Sequence, residues 1–236
     1  MSEQSNQNNQ TDGALQIPMP HVVGFVRQLI HDLRNHLNAA ELQAAYMNEV
    51  ATDTETKSEV QRLRGMFSEM GSSLQKLTGA LAEVKLTLMP YDAAAFLEDL
   101  EAKLQSQFPD QRNAVQWKIE TGNAQLDLDP QMMQHAFLEL FINAFQHSRG
   151  REPMQAGAER NNGDFVFTLR EPKTQFDTPT ENWGREPFVK VMHGHYGLGL
   201  HRARSIIEAH AGRYDAHYDP VSASLVTTVA LPVLPV

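Results

Sequence analysis

The chain has no cysteine, so disulfides and thiolate metal sites are excluded and the composition suits a reducing compartment. Any metal ligand has to be histidine or a carboxylate. Long hydrophobic runs are also missing: the longest apolar stretches, residues 21–26 and 225–236, fall far short of the roughly 20 residues that span a bilayer. The first residues are polar and lack the apolar segment of a signal peptide. The expectation is a soluble, cytoplasmic protein with no membrane partner. Basic clusters are scarce as well. With 29 acidic side chains against 20 basic ones and a formal charge of -9, no Lys/Arg block offers a footprint to a phosphate backbone, which argues against nucleic acid.

What is present is enough for a core. The hydrophobic fraction is 41% over 236 residues, a length that suits one long domain or two unequal ones. Residues 1–16 are Ser, Asn, Gln and Asp with little to bury, and read as a disordered tail. Helical periodicity then runs from His21 to about Val50 and from Thr56 to about Leu88, with a turn at 51–55 between. The second helix carries Val60, Leu63, Phe67, Met70, Leu74, Leu77, Leu81, Val84 and Leu88 in alternating steps of three and four, the spacing of a coiled-coil seam. A hairpin cannot bury two such seams by itself, so the pattern predicts a four-helix bundle formed by a homodimer. The first helix has its stripe at Val26, Leu29 or Ile30, Leu33, Leu37, Ala40, Ala44 and Met47. His31 falls about 200° around from Leu33 and should face solvent.

Pro90 marks a change of pattern and the expected boundary between domains 17–89 and 90–236. Beyond it the sequence predicts a helix over 93–107, a strand over 115–120, and an Asp129-Pro130 cap opening a helix to about Ser148. A strand over 165–170, a helix ending near Ala211 and strands over 214–218 and 225–231 follow. The whole is an α+β chain, a helical hairpin and then a mixed layer domain.

Three groups of residues could carry chemistry. His31-Asp-Leu-Arg-Asn-His-Leu-Asn38 sets an imidazole on an exposed helix face with a carboxylate, Asp32, beside it to orient the ring or take its proton, which suits a phosphoryl acceptor. On the helix after Asp129, Phe137, Leu140, Phe141, Ala144 and Phe145 share one face, while Glu139, Asn143 and His147 line another at spacings of four. An amide and a carboxylate there could help hold a magnesium ion that also takes phosphates and water. Gly194-His-Tyr-Gly-Leu-Gly-Leu200 precedes a helix, and glycines at such an entrance let backbone N–H groups approach phosphate oxygens. Taken singly, each is matched by a plain alternative: a solvated histidine, a polar helix face, an ordinary turn.

In order and spacing these groups resemble the sensor histidine kinases, from about His21 to Pro232. His31-Asp-Leu-Arg-Asn35 looks like that family's phospho-acceptor box and Glu139-Leu-Phe-Ile-Asn-Ala-Phe-Gln-His-Ser148 like its asparagine box. Glu186-Pro-Phe188 resembles its phenylalanine box, and Gly197-Leu-Gly-Leu200 its second glycine box. The resemblance implies a dimerisation bundle followed by an α/β sandwich of the histidine kinase-like ATPase type. It implies phosphorylation of His31 with help from Asp32, a role for Asn35 in dephosphorylating a partner, magnesium at Asn143, and support of the metal or the reaction by Glu139. ATP would lie along Asn143, His147, Glu171, Gly197, Leu198 and Gly199. The implied partner is the receiver domain of a response regulator.

The chain departs from the family in three places. Where the family has Asp-x-Gly-x-Gly to hold adenine, this chain has Glu171-Pro-Lys-Thr-Gln175, with both glycines gone. His36 replaces the proline of the acceptor box, which removes the expected kink. His195 replaces a lid glycine, and His193 with His195 is too small a set for a metal site. Two functions follow: an ATP-dependent histidine kinase that phosphorylates His31 and passes the group to a response-regulator aspartate, or a kinase-derived phosphotransfer or adaptor protein that no longer binds ATP.

Overall fold

The computed structural model describes residues 18–147, 152–176, 178–185, 187–188 and 197–235. The tail over 1–16, Glu186, His193 and His195 lie outside these, as does the side chain of His147. Two compact units make up the chain, Met1–Thr78 and Gly79–Val236.

The first unit is a helical hairpin, α1 (Met19–Val50) and α2 (Thr54–Leu81). Asp53 caps α2, its carboxylate accepting the Thr56 N–H at 2.7 Å. The two rows of the α2 seam meet different fates. Val60 is buried and Phe67 and Leu74 are half-buried within the hairpin, whereas Leu63 and Met70 are left open to solvent. On α1 the stripe passes through Ile30, which is buried, and leaves Leu29 exposed. Leu37 packs beside Gly71 of α2, and Arg64 joins Glu41 across the hairpin at 2.8 Å. The helix α1 runs uninterrupted through His36.

The periodicity predicts α2 as far as Leu88, and there the structure differs: the helix stops at Leu81. Beyond it, Ala82 offers its carbonyl to Arg202 at 2.5 Å, and the Thr87 N–H donates to Asp129 at 2.9 Å. Val84 packs on the core of the second unit and Leu88 is exposed. Backbone groups satisfied in this way by another element have no need of a helical partner.

The second unit is a sandwich. Its strands are β1 (Met89–Asp92), β2 (Val115–Glu120), β3 (Gln125–Leu128), β4 (Met154–Asn161), β5 (Asp164–Pro172), β6 (Arg213–Asp219) and β7 (Ser224–Pro232), and its helices α3 (Ala93–Gln107), α4 (Pro130–His147) and α5 (Gly199–Ala209). The main sheet has the order β2-β4-β5-β7-β6, parallel between β2 and β4 and antiparallel elsewhere, while β1 and β3 form a separate antiparallel pair. Alternation along β5 turns Phe165, Phe167, Leu169 and Glu171 to one side. Phe167 meets Phe137 and Phe141 of α4 at ring distances of 4.8 and 6.2 Å, so this row faces the helices. Phe96 of α3 and Ala203, Ile206 and Ile207 of α5 complete the core.

Caps set where the helices start. Asp92 accepts from Ala94 and Ala95 N–H at 3.0 Å, and Asp129 accepts from Met132 N–H at 3.0 Å just ahead of Pro130. Three strands, β1, β3 and β4, lie outside the sequence expectations. In β1, Pro90 sits opposite Asp127 in a short pair, a position where its missing N–H is tolerated. In β4 the inward residues are Met154, Ala156 and Ala158, with Ala156 opposite Trp117 and Ala158 opposite Phe167. Their small size makes room for those rings and hides the usual signature of a strand.

Candidate functional site

The hairpin carries the first group. His31 is exposed on α1, with 67% of its side chain open to solvent. Asp32 Oδ1 lies 3.2 Å from His31 Nδ1, and Asn35 Nδ2 lies 3.5 Å from the same nitrogen. The two contacts ask for opposite tautomers, since a carboxylate needs a proton on Nδ1 and an amide donor needs a lone pair there. The shorter, charge-assisted contact prevails. With the proton on Nδ1, the ring's lone pair is on Nε2. Gln28, one turn earlier, donates from Nε2 to the same Asp32 Oδ1 at 2.9 Å. Gln28 thus holds the carboxylate that holds the ring. It is absent from the sequence expectations, although its i,i+4 spacing to Asp32 is the one signal that could have found it.

The second group lies in the sandwich, between α4 and the first turn of α5. Glu139 and Asn143 are half-buried on α4. A Cβ on Gly199 would collide with Glu139 Oε2, so the carboxylate is seated against the backbone that opens α5. Gly197 adopts the left-handed conformation, φ 65°, and Leu198 is buried ahead of the helix. Glu139, Gly197, Leu198 and Gly199 therefore come together. His135, one turn earlier on α4, stands 4.0 Å from Glu139.

Glu171 is different. It ends the inward row of β5, almost fully buried, and its Oε2 lies 3.3 Å from Lys173 Nζ, with 3% and 10% of the two side chains exposed. Burial pushes the Glu171 carboxyl above its ordinary range, while the Lys173 ammonium pulls it down. The Lys173 backbone is fixed at both ends, its N–H donating to Ala223 O at 2.8 Å and its carbonyl accepting from Tyr218 Oη at 3.1 Å. Phe176 lies between Trp183, which it meets edge-to-face, and Tyr218, at ring distances of 5.7 and 6.1 Å. The pairing of Lys173 with Glu171 escaped the sequence reading; two residues apart in extended chain, they share a side.

ATP is the cofactor that the family resemblance implies, and these residues test the fit. Toward the α5 end, Glu139, Asn143 and Gly199 have the donor and acceptor chemistry that a magnesium phosphate group needs. Toward the end of β5 the residues do not fit: the carboxylate that would meet adenine is enclosed with the chain's own ammonium, and no glycine opens the backbone between Glu171 and Trp183. Among the described residues no cluster of three or more His, Asp or Glu is set to hold a metal ion, and no helix is long and apolar enough to cross a membrane.

No protein-family model matches the chain. It is 24% identical over 203 residues to the sensor histidine kinase ZraS of Klebsiella oxytoca, matching across 84% of its own length and 43% of that kinase's, so it spans less than half of its curated relative. Among solved structures, full-length ShkA in complex with AMPPNP shares the fold at a TM-score of 0.68 and 16% identity, over 93% of this chain and 47% of that one. The Acinetobacter baumannii histidine kinase AdeS gives 0.52 at 15% identity over 87% and 98%. The chain therefore has the fold of a sensor histidine kinase core, a helical pair followed by an α/β sandwich, and resembles a sensor histidine kinase in sequence along most of its length.

Proposed function

We propose that the chain is a dimeric histidine phosphotransfer protein of a two-component relay, built on a histidine kinase core, with His31 as the phosphoryl carrier. The observation that carries this reading is the exposed His31 with Asp32 on its Nδ1. In the forward step the Nε2 lone pair forms a P–N bond as the P–O bond of an incoming aspartyl phosphate breaks and the donor leaves as a carboxylate. Asp32 keeps the Nδ1 proton and offsets the positive charge that the ring acquires. In the return step the carboxylate of a response-regulator receiver domain attacks phosphorus, the P–N bond breaks, and Nε2 recovers its lone pair. Asn35, on the same face, is placed to orient water or the partner's aspartate. The half-open seam of α2 supplies the contact between two copies.

Phosphoramidate, which transfers its phosphoryl group to accessible imidazole, provides the test. Wild type should acquire an acid-labile phosphate at His31 and lose it when a receiver domain is added. His31→Gln should acquire none, and Asp32→Asn should react on the order of a hundredfold more slowly. A phosphorylated His31 that no receiver domain discharges would sink the proposal.

A second reading, ATP-dependent autophosphorylation of His31 with magnesium at Asn143, is favoured by one observation, the Glu139 carboxylate seated against Gly199. Label appearing on His31 from γ-labelled ATP would select it.

A further inference from the structure

We infer that the nucleotide cleft of the sandwich is filled by its own chain: Lys173 and the edge-to-face Phe176–Trp183 pair occupy the space at the sheet end beside Glu171, and the wild-type protein takes up no ATP. The inference goes beyond the phosphotransfer reading and concerns a different unit.

Register locates the cleft. Glu171 pairs with Leu225 and Leu225 with Tyr218, so the three stand in one row. They continue the helix-facing side past Leu169, Thr227 and Ala216. This end of the face is covered by the segment after β5 in place of a helix. From the sheet side, Tyr218 Oη donates to Lys173 O and Tyr218 packs on Phe176. From the α5 side, Arg204 Nη1 donates to Trp183 O at 3.1 Å, and Gly184 O lies 3.1 Å from His201 Nδ1. Gly184 has φ 71° and presses so closely on α5 that an added Cβ would come within 2.6 Å of Leu200 O. The segment is thus tied to β6 at one end and to α5 at the other. Its Phe176 ring contacts Trp183, which itself packs on the core.

The charge at this end is already paired, although Glu171 Oε2, buried beside Lys173 Nζ, makes no hydrogen bond. A buried carboxylate that would recognise an exocyclic amine has Lys173 as its partner, and breaking a buried pair leaves an uncompensated charge. An entering adenine would have to displace the ammonium and the two rings together, and that reorganisation is drawn from its binding free energy.

The test is calorimetric titration of the full chain with MgATP and, separately, Mg-AMPPNP, beside Lys173→Gly/Gln175→Gly. We expect no heat of binding for wild type at millimolar nucleotide and saturable binding for the double variant. Saturable binding by wild type overturns the inference, and so does a folded double variant that still takes no nucleotide. If far-UV circular dichroism shows the double variant unfolded, Trp183→Ala, which removes one of the two rings and keeps the Glu171–Lys173 pair, serves the same comparison. Phosphorylation of His31 by phosphoramidate is indifferent to each of these results, so failure here and failure of the phosphotransfer reading are separable.

Discussion

The two units solve the problem of burial in opposite ways. The sandwich encloses Phe96, Phe137, Phe141, Phe165 and Phe167 completely within one chain, with its central strand β5 alternating between core and the opposite face. The hairpin buries little more than Ile30, Ala44 and Val60, and leaves Phe25, Leu42, Tyr46, Leu63, Met66 and Met70 open. Scattered exposed apolar residues are ordinary, but a row at seam spacing along a two-helix unit is not. One unit is complete in itself. The other leaves an apolar row open, and the histidine proposed as phosphoryl carrier rides on that unit.

The sharpest way to break the contrast is to remove a ring from the complete unit. Phe137→Ala deletes a side chain in contact with Phe96 and Phe167 and should cost about 3–5 kcal/mol in the denaturant unfolding of the sandwich. His31 phosphorylation by phosphoramidate should persist.

In the hairpin, Leu63→Glu/Met70→Glu should do the reverse. Exposed substitutions cost a monomer only about 0.5 kcal/mol, so a marked fall in hairpin melting, loss of its concentration dependence and a monomeric sedimentation profile would show that this row is covered by a second copy. An unchanged profile would leave the hairpin's open row without that role.

The smallest effect is a pH dependence confined to the sandwich. His210 donates from Nδ1 to Ile206 O at 2.7 Å and accepts the Asp129 N–H on Nε2 at 3.0 Å, which requires the neutral ring. Burial holds its pKa below the ordinary 6.5, against the pull of Ile206, Asp129 and Asp127. The unfolded chain therefore binds this proton more readily, and stability falls as pH drops from the unfolded value through the folded one. The slope should approach but not exceed about 1.4 kcal/mol per pH unit. His210→Gln should remove it from urea unfolding curves taken between about pH 7 and pH 5.

What could be read from the sequence follows the same division. His31, Asp32 and Asn35 are neighbours on one helix, so their juxtaposition is local and the sequence displays it. The long helices and the Asp129-Pro130 cap are legible for the same reason. The strand β4 is not, because Ala156 and Ala158 are small to suit Trp117 and Phe167, which lie on other strands. Nor is the end of α2, where the heptad continues through Val84 and Leu88 but Arg202 and Asp129 claim the backbone. The departure at Glu171 was visible as an absence of glycine. That Lys173, Phe176, Trp183 and Tyr218 converge there depends on contacts across more than forty positions, beyond the reach of spacing or periodicity.

The contact between Asp32 and His31 Nδ1 has a regiochemical consequence. An imidazole has two ring nitrogens, and a phosphoryl group on one or the other gives two positional isomers of phosphohistidine. With one nitrogen facing the neighbouring carboxylate, a phosphoryl group carried as proposed above would sit on the far side of the ring, away from the helix backbone. On that proposal the aspartate would set which isomer a partner protein has to be built to receive.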